Sequence, residues 1–130
     1  MTDRLSNRDA RRLFISLHGL SEPLHRKLTD MELAMRIEQI GFVQIDSVNT
    51  VERAHHMILH ARNRTYRPEQ MARLLEKDRL LFENWTHDAS AIPTKFYPYW
   101  GYRFRQNSAK LRERWRKFRR PGFEEAIASV

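Results

Sequence analysis

The stretch FVQIDSV, residues 42–48, sets two polar side chains, Gln44 and Asp46, inside an otherwise apolar run. In an extended strand successive side chains leave on opposite faces, so Val43 and Ile45 share one side and Gln44 and Asp46 the other. A carboxylate placed there can offset developing positive charge and orient or deprotonate water, and a carboxamide beside it can hold that water or a phosphate. The same alternation also describes a half-buried strand whose polar face meets solvent. Three histidines follow, His55, His56 and His60, of which His56 and His60 lie four apart on one helix face, a metal-pair spacing. The glutamate of a metalloprotease helix is missing and no third ligand is evident, which favours helix packing or phosphate contact over zinc. His87, near Glu83 and Trp85, is a further titratable candidate, although one histidine in a hairpin is more often structural.

The elements that must position these residues are marked by local signals. Ser6 followed by Asp9 opens a helix whose Ala10, Leu13, Phe14 and Leu17 form one apolar stripe, and Gly19 stops it. A second helix begins at the capping box Thr29 to Glu32, buries Leu33, Ile37 and Ile40, and ends at Gly41. The FVQIDSV strand comes next. Val51, Ala54, Ile58 and Ala61 then mark a third helix, and Pro68 takes the first position of a fourth that carries Met71, Leu74 and Leu75. From Arg79 to Pro93, RLLFENWTHDASAIP reads as a hairpin about the polar centre THD. Beyond Thr94 the chain reads as helical and basic, with interruptions expected near Gly101 and at Pro121 and Gly122.

This order predicts a mainly α fold with a small β component. It places a winged helix-turn-helix domain at residues 1–93, with an extra N-terminal helix, a helix-turn-helix at 51–77 and a wing at 79–92. Residues 94–130 form a basic helical connector. The final EEAIASV begins a helical pattern without a cap or polar tail, so a further domain is expected after it.

The chain of 130 residues has no cysteine, which excludes disulfides and thiolate metal sites. It has no apolar run of membrane-spanning length, and MTDRLSNRDARR is too charged for a secretory signal, so a soluble cytoplasmic protein is expected. The net charge of +8 is uneven: RFRQNSAKLRERWRKFRR, residues 103–120, carries nine Arg or Lys against one Glu, and the remainder balances. Such a segment faces a polyanion. Phe104, Leu111, Trp115 and Phe118 recur within it at helical spacing, which suggests packing on protein rather than on an anionic membrane. Nucleic acid is therefore the favoured partner, with Arg112, Arg116 and Arg119 among the residues that would meet it. The aromatics of KFYPYWGYRF, residues 95–104, are expected to pack the junction between two helical segments rather than stack on bases.

Three stretches, ARRLFISLHGL at 10–20, QIDSVNTVERAHHMILHAR at 44–62 and RLLFENWTHDASAIP at 79–93, together resemble the AlkZ/YcaQ-type winged-helix DNA glycosylases. These are bacterial DNA-repair hydrolases that excise alkylated purines and unhook interstrand crosslinks. The order and spacing of the blocks agree with the family over most of residues 8–105. The resemblance implies that the active-site signature, Gln, any residue, then Gln or Asp, falls on Gln44 and Asp46, in the Asp version similar to the YcaQ-like branch. On that basis Asp46 steadies positive charge on the sugar and orients or activates water, and Gln44 positions the water or a neighbouring phosphate. Asn49, Arg53 and His87 would lie toward the DNA. A purine alkylated at N7 is already cationic and leaves without a proton, so no general acid is required. No metal, nucleotide or redox cofactor is implied. Family members contain further winged-helix units and a later β-rich region, none of which these 130 residues contain. The same architecture also allows a rival, a non-catalytic transcription regulator that reads duplex DNA through residues 69–77.

Overall fold

A computed structural model describes residues 4–118, 122, 125, 126 and 129. The chain divides into two units, Met1–Phe96 and Tyr97–Val130. Among the described residues the first holds four α-helices, a short 3-10 turn at Thr94–Phe96 and three strands; the second is built on one long helix. The fold is thus mainly helical with a small antiparallel sheet.

Helix α1 spans Asn7–Leu17, and its N-cap Ser6 accepts the Asp9 backbone N–H on Oγ at 3.1 Å. Its apolar stripe forms, yet no residue of α1 is buried, and Leu13, Phe14 and Leu17 stand exposed. Past its end, Gly19 has φ +65°, a left-handed conformation that favours glycine, with only the Arg36 side chain beside it. Helix α2 spans Asp30–Ile40 and starts with the expected capping box: Glu32 N–H donates to Thr29 Oγ1 at 3.2 Å, and Thr29 N–H to Glu32 Oε2 at 2.9 Å. Leu33 and Ile37 on its inner face are buried. Gly41 then adopts φ +90°, which turns the chain straight from the helix into the first strand.

The strands β1 (Val43–Gln44), β2 (Leu81–Trp85) and β3 (Ala89–Pro93) pair antiparallel in the order β1-β3-β2. Helices α3 (Ala54–Arg62) and α4 (Pro68–Glu76) lie between the first strand and the hairpin. Leu33 and Ile37 from α2, Val43 from β1, Leu59 from α3, Met71 and Leu74 from α4, Leu81 from β2 and Ala91 from β3 meet Tyr66 in one core. Each large aliphatic side chain in it contributes about 1.5–3 kcal/mol by leaving water. Arg73 grips the Asp30 carboxylate with two hydrogen bonds, at 2.7 and 3.0 Å, which ties α4 to the start of α2. The α3–α4 turn is closed by buried Asn63, which donates to the Arg26 carbonyl at 2.6 Å and accepts Thr65 N–H at 2.8 Å.

Two sequence expectations are corrected. The third helix starts at Ala54, so Val51 lies outside it at 88 % exposure and Ala61 is exposed, while His55 and Leu59 face the core. The buried face centres on His55 and Leu59, one position along the helix from the Ala54 and Ile58 of the expected stripe, which are half-buried at its edge. The second correction concerns Gly101, which does not interrupt helix α5, continuous over Tyr97–Phe118. Glycine keeps its N–H and C=O in the helical ladder and costs only about 1 kcal/mol relative to alanine, too little to break a 22-residue helix. Gly101 therefore marks no junction; of the aromatics of residues 95–104, Phe96, Trp100 and Phe104 are half-buried, Tyr97, Tyr99 and Tyr102 are each more than half exposed, and Tyr97 rests on Phe104 with ring centroids 5.3 Å apart. Of the later break, Gly122 has φ +92°, and Pro121 lies outside the described residues. No helix among the described residues is long and apolar enough to cross a membrane.

Candidate active site

The strand that carries the Gln-x-Asp signature is short. Val43 is buried and pairs with Ala91, and Gln44 is exposed and pairs with Ser90, as alternation requires. Ile45 extends the pairing by one step, donating its N–H to the Ala89 carbonyl at 2.7 Å, and packs against the core. The chain then turns. Asp46 Oδ1 accepts the Val48 N–H at 2.8 Å, an Asx-type turn, and the Asp46 N–H donates to His55 Nδ1 at 3.1 Å. Its Oδ2 has no hydrogen-bond partner among the described residues. Asp46 follows the strand, with its half-buried carboxylate held by its own turn and its backbone N–H held by a helix nine residues on.

His55 supplies that anchor. It is buried at 4 % exposure, and burial, then the nearby His56 and Arg53, push its pKa below the usual histidine value, with Asp46 and Glu52 opposing. A neutral ring whose Nδ1 accepts a hydrogen bond carries its proton on Nε2. The His56 ring lies 4.2 Å from that of His55, centroid to centroid, and its Nδ1 is 2.7 Å from the Tyr66 hydroxyl. Burial lowers the His56 pKa and raises that of Tyr66, so the hydroxyl keeps its proton. The two adjacent histidines thus do different work: His55 holds the β1–α3 connection, and His56 holds the α3–α4 turn.

The other candidate residues fall into three places. Asn49 and Arg53 are exposed on the connection between β1 and α3. His87 is exposed at the hairpin turn, which Thr86 N–H closes onto the Asp88 carbonyl at 3.0 Å. Because Ile45 pairs with Ala89, this turn sits at the same end of the sheet as Asp46. Arg112 and Arg116 are exposed on α5, in the second unit, and Arg119 lies outside the described residues. Among the described residues no group of three His, Asp or Glu is gathered as a metal site.

Sequence reasoning named His55 without its anchoring role and missed Ser90. His55 stands four positions before Leu59 and shares its buried face, and which face of α3 is buried is set by the core it packs against. Ser90 is fully buried beside Gln44; its Oγ donates to the Asp88 carbonyl at 2.9 Å and lies 2.8 Å from Thr86 Oγ1. With Asn84 it forms a polar cross-strand row, Gln44–Ser90–Asn84.

The family model described as DNA glycosylase AlkZ-like matches residues 37–130, a span that takes in the signature, the histidine pair, the hairpin and α5. No solved structure matches the chain. With most of its length matched, the chain belongs to the AlkZ-like DNA glycosylase family.

Proposed function

We propose that this protein hydrolyses the N-glycosidic bond of N7-alkylated purines in double-stranded DNA, with Asp46 as the catalytic carboxylate and Gln44 as its positioning neighbour. The observation that carries this reading is the family match, which includes both residues. Bond cleavage builds positive charge on the sugar, and a carboxylate oriented by its own backbone turn, with one oxygen unengaged, is suited to stabilise that charge. Gln44, exposed on the neighbouring strand position, can hold water or a phosphate. The purine is cationic before it departs, so the second carboxylate that most glycoside hydrolases need as an acid is dispensable. Interstrand crosslinks joined through alkylated purines present the same bond.

In this reading α3, α4 and the β2–β3 hairpin act as a winged helix-turn-helix. The element order and the three-stranded sheet β1-β3-β2 support it. Asn49, Arg53 and His87 face the DNA near the lesion, and the basic α5 meets phosphates. Against the rival regulator stands the exposed face of α4, which presents Glu69 and Glu76, and on which Arg73 is already bound to Asp30. Two carboxylates on a helix meant for the major groove would repel the phosphate walls.

The test is single-turnover base release from a duplex containing one N7-methylguanine, using the full protein encoded by the reading frame that carries these residues. Release of the base supports the glycosylase. Tight, sequence-specific binding without release replaces it with the regulator.

A further inference from the structure

Strand β1 is an edge strand: among the described residues it pairs on one side, with β3. Ile45 N–H makes the last bond of that pairing, to the Ala89 carbonyl at 2.7 Å. Successive N–H groups of a strand leave on opposite edges, so the Asp46 N–H points to the open edge. There His55 Nδ1 receives it at 3.1 Å, from a ring buried in the first turn of α3.

Beyond this bond the chain runs over the surface. From Ser47 to Arg53 every residue is exposed and none lies in a helix or strand. The Val48 N–H bond fixes the Asp46 carboxylate relative to this exposed segment, whereas the His55 bond fixes its backbone relative to a packed helix. A carboxylate that must meet charge developing at one sugar carbon needs the second restraint, because a displacement of about 1 Å can cost about a hundredfold in rate.

Resting on the glycosylase reading, we propose that His55 is a positioning residue for base release: its unprotonated Nδ1 holds the Asp46 turn in the productive place, and protonation lets the turn go. A protonated Nδ1 is a donor, so the Asp46 N–H would face a second N–H and the turn would have to move. Among the described residues, the charged and titratable groups around the ring are His56 and Arg53, which oppose protonation, and Asp46 and Glu52, which favour it. Burial outweighs each of them and holds the His55 pKa below the ordinary 6.5. Base release should therefore be undiminished above that pH and fall on the acid side as the folded protein takes up this proton.

The first arm of the test needs no turnover. In the isotope-labelled full protein, an N–H···N bond carries a scalar coupling between the Asp46 amide nitrogen and His55 Nδ1, readable by NMR. We expect the coupling at about pH 7.5 and its loss as His55 is protonated, with the Val48 amide and the Asp46 carboxyl carbon shifting at the same midpoint. Absence of the coupling at the higher pH, or Val48 and Asp46 signals that do not follow the His55 titration, overturns the proposal.

The second arm reads single-turnover base release from a duplex containing one N7-methylguanine. His55→Leu keeps a buried apolar side chain and offers no acceptor; it should slow release at least about tenfold, with affinity for an abasic duplex unchanged within about twofold. His55→Asn, whose side-chain carbonyl can sit where Nδ1 does, should restore the rate to within about threefold of the unsubstituted protein at about pH 7.5 and move the acid limb to lower pH. If His55→Leu does not fold, the pH profile of His55→Asn decides alone. An unaltered rate in His55→Leu, no rescue in His55→Asn, or the same acid limb there overturns the positioning role and leaves the glycosylase standing. Absence of base release by the unsubstituted protein overturns the glycosylase reading and the role of His55 in it.

Discussion

The backbone N–H of Asp46 donates to Nδ1 of His55 at 3.1 Å, linking the turn after β1 to the first turn of α3. The bond exists only while Nδ1 is unprotonated. The aim of the candidate catalytic carboxylate is therefore tied to a histidine that burial keeps neutral.

Stability should follow the same proton. His55 and His56 have pKa values below the ordinary 6.5, so the unfolded chain takes up these protons at higher pH than the folded one. Their contribution is complete above about pH 6.5 and is lost as pH falls toward the folded values. Asp30, held below its usual 3.8 by Arg73, loses its contribution only at still lower pH. The urea midpoint should fall between about pH 7 and pH 5, and His55→Gln should flatten that fall. An unchanged pH profile in His55→Gln would show that His55 is not the group responsible.

Asp46→Asn keeps the shape and removes the charge. It should slow single-turnover base release by about 10²–10³, the scale of one lost preorganised electrostatic contact, with DNA affinity nearly unchanged. Gln44→Ala should slow it less, because positioning is disturbed while the charge stays. Wild-type rates in Asp46→Asn would move the active site elsewhere and leave QID as the polar edge of a strand.

Gly41 tests the turn that delivers the signature. A Cβ there meets nothing within 4 Å, so the cost of Gly41→Ala is backbone strain alone at φ +90°. We expect a loss of about 1–3 kcal/mol in urea unfolding. For comparison, Leu59→Ala, which empties a fully buried position on α3, should cost about 2–5 kcal/mol. An unaltered midpoint in Gly41→Ala would mean the turn relaxes freely.

Arg105, Arg112 and Arg116 recur along α5 on one helix face. If they meet phosphates, replacing all three with Gln should flatten the dependence of log affinity on log salt by up to about 3. A constant slope would assign the basic helix to packing.

What the amino-acid order decided by itself were the features that depend on a few neighbouring residues. The Thr29–Glu32 capping box, the stop at Gly41, the start at Pro68, the THD hairpin and the concentration of charge in residues 103–120 all need no distant partner. Gly101 was misread within the same local reach, because a glycine weakens a long helix without ending it. What only the tertiary structure decided depends on groups far apart in the chain. Val43 lies against Ala91 and Gln44 against Ser90, and no local rule names those partners. His55 and His56 are identical neighbours in sequence. One anchors Asp46 and the other bonds Tyr66, because a single step along a helix turns a side chain by about 100° toward a different wall. Burial, and the pKa values that follow from it, are sums over those walls, and they come into being only when the chain has closed on itself.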